Sequence, residues 1–275
     1  MVYQANQKTL NFEQPLIMAI VNLTPDSFYD GGKYDTLKDV LADISQKIKE
    51  GAHIIDIGAA SSRPGASEID EIEEWERLEK TLAGIRKEFP NIILSVDTYR
   101  SSIAKRSAEL GVDMINDIAA GNKDSKMFET MAQLNIPYVL MHMKGDPNTM
   151  QKDPVYEDVV AEVKTEMEVK IKKLEALGFK KIIIDPGFGF GKSTAHNFKL
   201  LKHLTELVNF NYPVLVGVSR KSMVNKVINT SPVTALNGTT VLHTIALLNG
   251  AKLLRVHDVN EAKQAIELVQ YYKNV

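Results

Sequence analysis

The chain has no cysteine among its 275 residues, a single tryptophan and a net charge of only −2. Without cysteine it makes no disulfide, offers no thiolate nucleophile and holds no cysteine-ligated metal, and a reducing cytosol suits it. The near balance of 33 basic and 35 acidic residues gives no general attraction to nucleic acid or to an anionic membrane surface. No apolar run approaches the roughly 18 residues that a membrane span needs. Residues 1–13 are polar and lack the apolar stretch of a signal peptide. Histidine is scarce as well, with six residues and no His-x-His; barrel hydrolases usually need several histidine ligands, and here His142 stands alone. The expectation from these features is a soluble, cytoplasmic protein with neither nucleic acid nor membrane as partner.

What the chain does have is a rhythm. Short apolar runs at 16–21, 54–57, 92–96, 112–115, 136–141, 182–184, 214–218 and 252–254 each close on a small, polar or charged residue. The closing residues are Asn22, Gly58, Asp97, Asn116 with Asp117, His142, Asp185, Ser219 with Arg220 and Lys221, and Arg255 with His257. Most of the gaps carry helical periodicity, as in 36–50, where Leu37, Val40, Leu41, Ile44 and Ile48 share a face and Gly51 follows as a stop. Further helices are expected at 69–89, 100–110, 126–134, 154–177, 195–207, 221–228, 236–248 and from a cap at Asn260 to 272. The acid-rich 69–89 helix reads as a solvated outer face. No linker, composition shift or low-complexity segment divides the chain. Eight strand–helix units in one 1–275 domain read as a (β/α)8 TIM barrel, an ordinary architecture at about 250 residues. Its active site belongs at the mouth formed by the C-terminal ends of the strands.

The glycine-rich segment 186–194 looks at first like a phosphate loop, but Pro186 stands where a Walker A motif needs glycine. It reads better as a substrate loop, where glycines admit close backbone approach and Phe188 or Phe190 offers a flat face. Asp97, Asn116 and Asp185 end strands three, four and six, where they can read the N–H groups of a flat heterocycle. Lys221 and Arg255 bring cations to the ends of strands seven and eight, where barrels commonly bind phosphate. Arg220 reads as part of a surface ion pair, and His53, His196, His203 and His243 as structural or solvated. The loops 22–34 and 58–66 exceed the usual two to six residues of a βα connection, a length that goes with lids and binding.

At these residues the chain resembles the dihydropteroate synthase family, from Ile17 to about Leu268, most specifically in Thr24–Phe28 and Asp185–Phe190. The resemblance implies a transferase that joins p-aminobenzoate to 6-hydroxymethyl-7,8-dihydropterin pyrophosphate by a dissociative route. It places the pterin on Asp97, Asn116, Met141, Asp185, Lys221 and Arg255. It puts pyrophosphate on Asn22, Ser62, Arg63, Arg255 and His257, with Asn22 also a ligand of Mg2+. Phe28, Arg63, Pro64, Phe190, Lys221 and Ser222 take p-aminobenzoate, and Asp26, Asp97, Asp185, Lys221 and Arg255 are the catalytic set. It also implies a homodimer through outer helices and inhibition by sulfonamides. The second loop departs from the family's Gly-Glu-Ser-Thr-Arg-Pro-Gly: Ala60 stands in place of the glutamate. A corrinoid-linked methyltransferase barrel would not need the pyrophosphate grip, a binding protein would not need the p-aminobenzoate loops, and an aldolase-type Schiff base at Lys221 would sit among anion-binding partners.

Overall fold

In the parallel sheet, neighbouring strands align so that their ends rise together, and this alignment builds the site. The computed structural model describes residues 1–23, 36–60, 69–145, 150 and 154–275. After a hairpin of β1 (Val2–Ala5) and β2 (Lys8–Asn11), the barrel strands are β3 (Leu16–Asn22), β4 (Ile54–Gly58), β5 (Ile93–Asp97), β6 (Met114–Asp117), β7 (Tyr138–Met141), β8 (Ile182–Asp185), β9 (Leu215–Val216) and β10 (Leu253–Val256). They form one parallel eight-stranded sheet in the order β8-β7-β6-β5-β4-β3-β10-β9. A parallel bridge between Ile184 and Val214 joins its two ends. The expected (β/α)8 barrel is therefore the fold.

Outside it run α1 (Leu37–Glu50), α2 (Glu71–Glu88), α3 (Ser101–Glu109), α4 (Met127–Leu134), α5 (Val159–Ala176), α6 (Thr194–Lys202), α7 (Thr205–Val208), α8 (Ser222–Ile228), α9 (Leu236–Leu248) and α10 (Val259–Asn274). None of the described helices is long and apolar enough to cross a membrane.

Side chains two apart on a strand share a face, and that parity stacks the barrel interior in layers. Leu16, Met18, Ile54, Ile93, Met114, Val139, Ile183, Leu215 and Leu253 form an apolar floor, sealed by Tyr3, Leu10 and Phe12 of the hairpin. The Tyr3 hydroxyl donates to the Ile182 carbonyl at 2.8 Å, which satisfies its buried oxygen. Residues 1–13, read from the sequence only as polar, thus supply the plug of the barrel through Tyr3, Ala5, Leu10 and Phe12. Two residues beyond the floor the same face turns polar: Asp56 after Ile54, Ser95 after Ile93, Asn116 after Met114, Asp185 after Ile183 and Arg255 after Leu253. The opposite strand face, with Ile17, Ile55, Leu94, Ile115, Leu140 and Leu254, packs under the helices.

Several helix limits differ from expectation for local reasons. The helix expected from 154 starts at Val159, because Asp158 accepts the backbone N–H groups of Val160 and Ala161 and caps it. The stretch 195–207 is two helices. A continuous helix would give the Leu201 carbonyl to residue 205, but Asn249 Nδ2 takes it at 2.8 Å. Asn260 does not cap the last helix; the cap residue is Asp258, whose carboxylate is instead held by Arg220. The acids of α2 are solvated, as expected, except Glu74, which is buried and paired with Arg100.

Candidate active site

Parallel register sets Asn22 beside Gly58, Gly58 beside Asp97 and Asp97 beside Asn116, one row across β3 to β6. Glycine at 58 keeps that row open, since a Cβ there would lie 3.3 Å from Asn22 Oδ1 and 3.7 Å from Asp97 Cβ. Below the row, Asp56 is fully buried and fully engaged. It accepts from Ser95 Oγ (2.6 Å), Asn116 Nδ2 (2.9 Å) and Arg255 Nε (2.7 Å). Arg255 reaches on to Asp97 through Nη2 at 3.0 Å. One guanidinium therefore bridges a carboxylate in the barrel wall and a carboxylate at the mouth, a fork that lysine could not supply. Asp56 and Ser95 were not among the expected site residues.

The acids and cations of the mouth differ in electrostatics. Burial raises the Asp97 carboxyl to about 7; Arg255 opposes that rise, and Asp56, Glu74 and Asp117 add to it. Burial also raises Asp185, against the cations Lys221, Arg255 and Lys192. It lowers Lys221 to about 8, with Asp185 opposing the fall. Titratable groups driven toward neutrality within one concavity are a mark of function.

Lys221 precedes the first residue of α8, exposed Ser222, and its Nζ donates to the Phe188 carbonyl and stands 4.6 Å from the centre of the Phe190 ring. Phe190 joins Ile118, Ala119, Met141, Met143 and Met150 in an apolar group separate from the main core. The mouth thus carries polar groups on its strand ends and methionine and phenylalanine side chains beside them. Gly187 shapes this wall: its φ is +69° and a Cβ would fall 1.8 Å from the His142 carbonyl oxygen. Gly187→Ala is therefore expected to lose about 2 kcal/mol or more of stability. A denaturant midpoint unchanged from the wild type would refute that.

On the cationic side, Ser219 Oγ hydrogen-bonds His257 Nδ1 at 2.9 Å and accepts the His257 backbone N–H at 3.2 Å, which fixes the ring at the end of β10. Arg220 is an ion-pair residue as expected, but a buried one. It forms a two-pronged pair with Asp258 at 2.8 and 2.7 Å and donates to the Pro232 and Val233 carbonyls. His142 is buried beneath the mouth between Lys192 and Glu166, bonded to both. Asp26, Phe28, Ser62, Arg63 and Pro64 lie outside the described residues. The structure does bring together Asn22, Asp97, Asn116, Met141, Asp185, Phe190, Lys221, Ser222, Arg255 and His257 at or just inside one end of the barrel.

An enclosed barrel with acids, an amide and two cations around one mouth has the layout of a barrel enzyme that grips a polar, flat and anionic substrate. Residues 18–257 match the pterin binding enzyme family, and the chain belongs to that family. It is 41% identical to the dihydropteroate synthase of Escherichia coli K12 over 97% of its own length and 94% of that protein. It superposes with a TM-score of 0.95 on the Yersinia pestis dihydropteroate synthase in a sulfonamide drug complex, at 39% identity over 100% of this chain and 99% of that one. The Xanthomonas albilineans dihydropteroate synthase in complex with 7,8-dihydropteroate gives 0.88 at 35% identity, with 100% of both chains covered.

Proposed function

We infer that this barrel is an enzyme that condenses 6-hydroxymethyl-7,8-dihydropterin pyrophosphate with p-aminobenzoate, giving 7,8-dihydropteroate and pyrophosphate in folate biosynthesis. The observation that carries the reading is the Asp56–Arg255–Asp97 bridge. It sets an edge of hydrogen-bond acceptors beside a fixed cation, as a substrate with an N–H-rich ring and an anionic tail requires. Membership of the family and 41% identity to a dihydropteroate synthase support it.

We assign the residue roles from the family resemblance, and the positions of the described side chains agree with them. Asp97, Asn116 and Asp185 receive or read the pterin edge, Lys221 donates to its carbonyl, and Met141 and Arg255 lie against its faces. Arg255 and His257, with Ser62 and Arg63, hold the diphosphate. Phe190, Lys221 and Ser222 line the p-aminobenzoate side, with Phe28, Arg63 and Pro64 from the two long loops. Bond breaking is dissociative: the C–O bond at the pterin methylene opens, diphosphate leaves, and the aryl amine attacks the resulting cation. Asp26, Asp97 and Asp185 stabilise that cation, while Arg255 and Lys221 favour the anion that departs. The neutral amine sheds its proton after attack, so no strong general base is needed.

Mg2+ fits as a companion of the diphosphate. It prefers oxygen donors and takes many of them from phosphates and water. Among the described residues no three His, Cys, Asp or Glu side chains gather into a metal cage, and Asn22 offers a half-buried amide oxygen at the mouth. When bound, the metal would neutralise charge on the leaving group. A second copy of the chain would cover the exposed Val241, Ile245 and Leu248 of α9 and Leu268, Tyr271 and Tyr272 of α10. Sedimentation reads that dimer directly, and a monomer at working concentration would remove it. We place the enzyme in the cytoplasm.

The pH dependence of pterin binding has a fixed sign. A pterin N–H bonded to Asp97 favours the carboxylate, so binding lowers a group that stands at about 7 in the free protein. Affinity then falls by up to about tenfold per pH unit below that value. Lys221, at about 8, donates to the pterin only while protonated, so affinity falls again above that pH. Calorimetry across this range is expected to show a maximum between the two values. A flat profile would contradict both assignments.

A further inference from the structure

We propose that Lys192 is a positioning residue for the p-aminobenzoate half of the site, clamping the 186–191 loop so that Lys221 and Phe190 stand where that substrate binds. The proposal rests on the function inferred above and names a residue to which no substrate contact has been given.

Lysine is seldom buried without a partner, yet Lys192 is 2% exposed. Its Nζ lies 2.9 Å from the Gly187 carbonyl, 3.0 Å from the Phe190 carbonyl and 2.9 Å from His142 Nδ1. Three acceptors at that range use the three N–H groups of an ammonium. The His142 ring is itself anchored, with Nε2 3.2 Å from Glu166, which is held in turn by Lys170 at 2.7 Å. Nδ1 then serves as the acceptor and Nε2 carries the proton, the tautomer these partners require. A methionine would fill the same volume without desolvating a charge. What the ammonium adds is a set of fixed bonds to the loop.

The loop needs them. Gly187, Gly189 and Gly191 all have positive φ, at 69°, 82° and 62°. Glycine is the residue with the most freedom to lose, and three of them in six positions give the segment little stiffness of its own. Beyond the turn bond from the Phe190 N–H to the Gly187 carbonyl (3.1 Å), its ties come from outside. Besides Lys192, Asn197 Oδ1 accepts the Gly189 N–H at 2.7 Å, and the Tyr156 hydroxyl donates to the Gly191 carbonyl at 2.9 Å. The loop thus held presents two groups to the mouth: the Phe188 carbonyl, which receives Lys221 Nζ, and the Phe190 ring, 4.6 Å from that same atom. Asp97, Asn116 and Arg255 sit instead on strands of the barrel wall. Losing Lys192 should therefore disturb one substrate more than the other.

The test is Lys192→Met, which keeps the apolar stem and removes the ammonium. Steady-state kinetics would give KM for p-aminobenzoate, and fluorescence titration the Kd for pterin pyrophosphate, with the wild type alongside. The expected result is a rise of about tenfold to a hundredfold in KM for p-aminobenzoate, since a displacement of about 1 Å can cost that much. The pterin Kd is expected to rise by less, up to about fivefold, because Lys221 and Asp185 lose part of their setting while Asp97, Asn116 and Arg255 on the strands keep theirs. A KM that does not move, or two affinities that fall by the same factor, would overturn the proposal and leave Lys192 a general support of the fold. If the methionine variant does not fold, Asn197→Ala releases the same loop without touching a buried charge. It is expected to show the same selective rise, and its absence would be equally decisive against the proposal. A wild type with no p-aminobenzoate-dependent turnover would fell the functional reading first, and this proposal with it.

Discussion

Arg255→Ala is expected to lower kcat/KM by about a thousandfold, equivalent to about 4 kcal/mol of transition-state stabilisation. The guanidinium is the cation nearest the acidic edge and is tied at both ends, to Asp56 at 2.7 Å and to Asp97 at 3.0 Å. On the proposed function, removing it takes away a group that favours the departing diphosphate, and it strands the two carboxylates that it pairs with. Stability should fall too, by about 3–5 kcal/mol where both acids are ionised. The sign of its pH dependence can be checked. Burial already raises Asp97 to about 7 with Arg255 opposing the rise, so the variant's Asp97 must lie higher still. A carboxyl whose folded value exceeds its unfolded value loses stability as pH rises from the one to the other. The variant should therefore be closest to the wild type near pH 4 and fall furthest behind above about pH 7. Denaturant unfolding at both ends of that window checks this, and a gap independent of pH would show that Arg255 is not neutralising these acids.

Asp185→Asn is expected to weaken pterin binding by about a hundredfold to a thousandfold while leaving the fold nearly as stable as before. Oδ1 accepts the Gly187 N–H at 2.8 Å, and asparagine keeps an oxygen for that bond. Among the described residues Oδ2 takes no hydrogen bond, and a substitution that puts an NH2 group there sets donor against donor when an N–H-rich heterocycle arrives. Calorimetry with the pterin pyrophosphate, beside a thermal melt, separates the two effects. An unchanged Kd would place the pterin edge elsewhere in the mouth.

The strand-end acids and cations were legible because each terminates an apolar run, a position the barrel turns into mouth. Asp97, Asn116, Asp185, Lys221 and Arg255 all belong to that class. Asp56 was not, because it stands inside its run, between Ile55 and Ile57. Only the parity of the strand shows that it faces inward one layer below the rim, where Ser95, Asn116 and Arg255 converge on it. A lone carboxylate amid isoleucines was itself the signal, since an ionised group is buried there only with partners. Lys192 was hidden for a different reason. Its place after Gly191 invites comparison with phosphate loops, and nothing local shows that its ammonium turns back on the loop's own carbonyls. The hairpin plug was not legible: Val2, Tyr3, Gln4 and Ala5 show no clean apolar and polar alternation, and two such short strands acquire meaning only from the open floor they close.

The most direct test is pyrophosphate release from 6-hydroxymethyl-7,8-dihydropterin pyrophosphate with Mg2+, measured with and without p-aminobenzoate. The account predicts release that depends on p-aminobenzoate and matches the 7,8-dihydropteroate formed. Tight pterin binding with no p-aminobenzoate-dependent release would contradict it, leaving a barrel that holds the pterin but does not join it to anything.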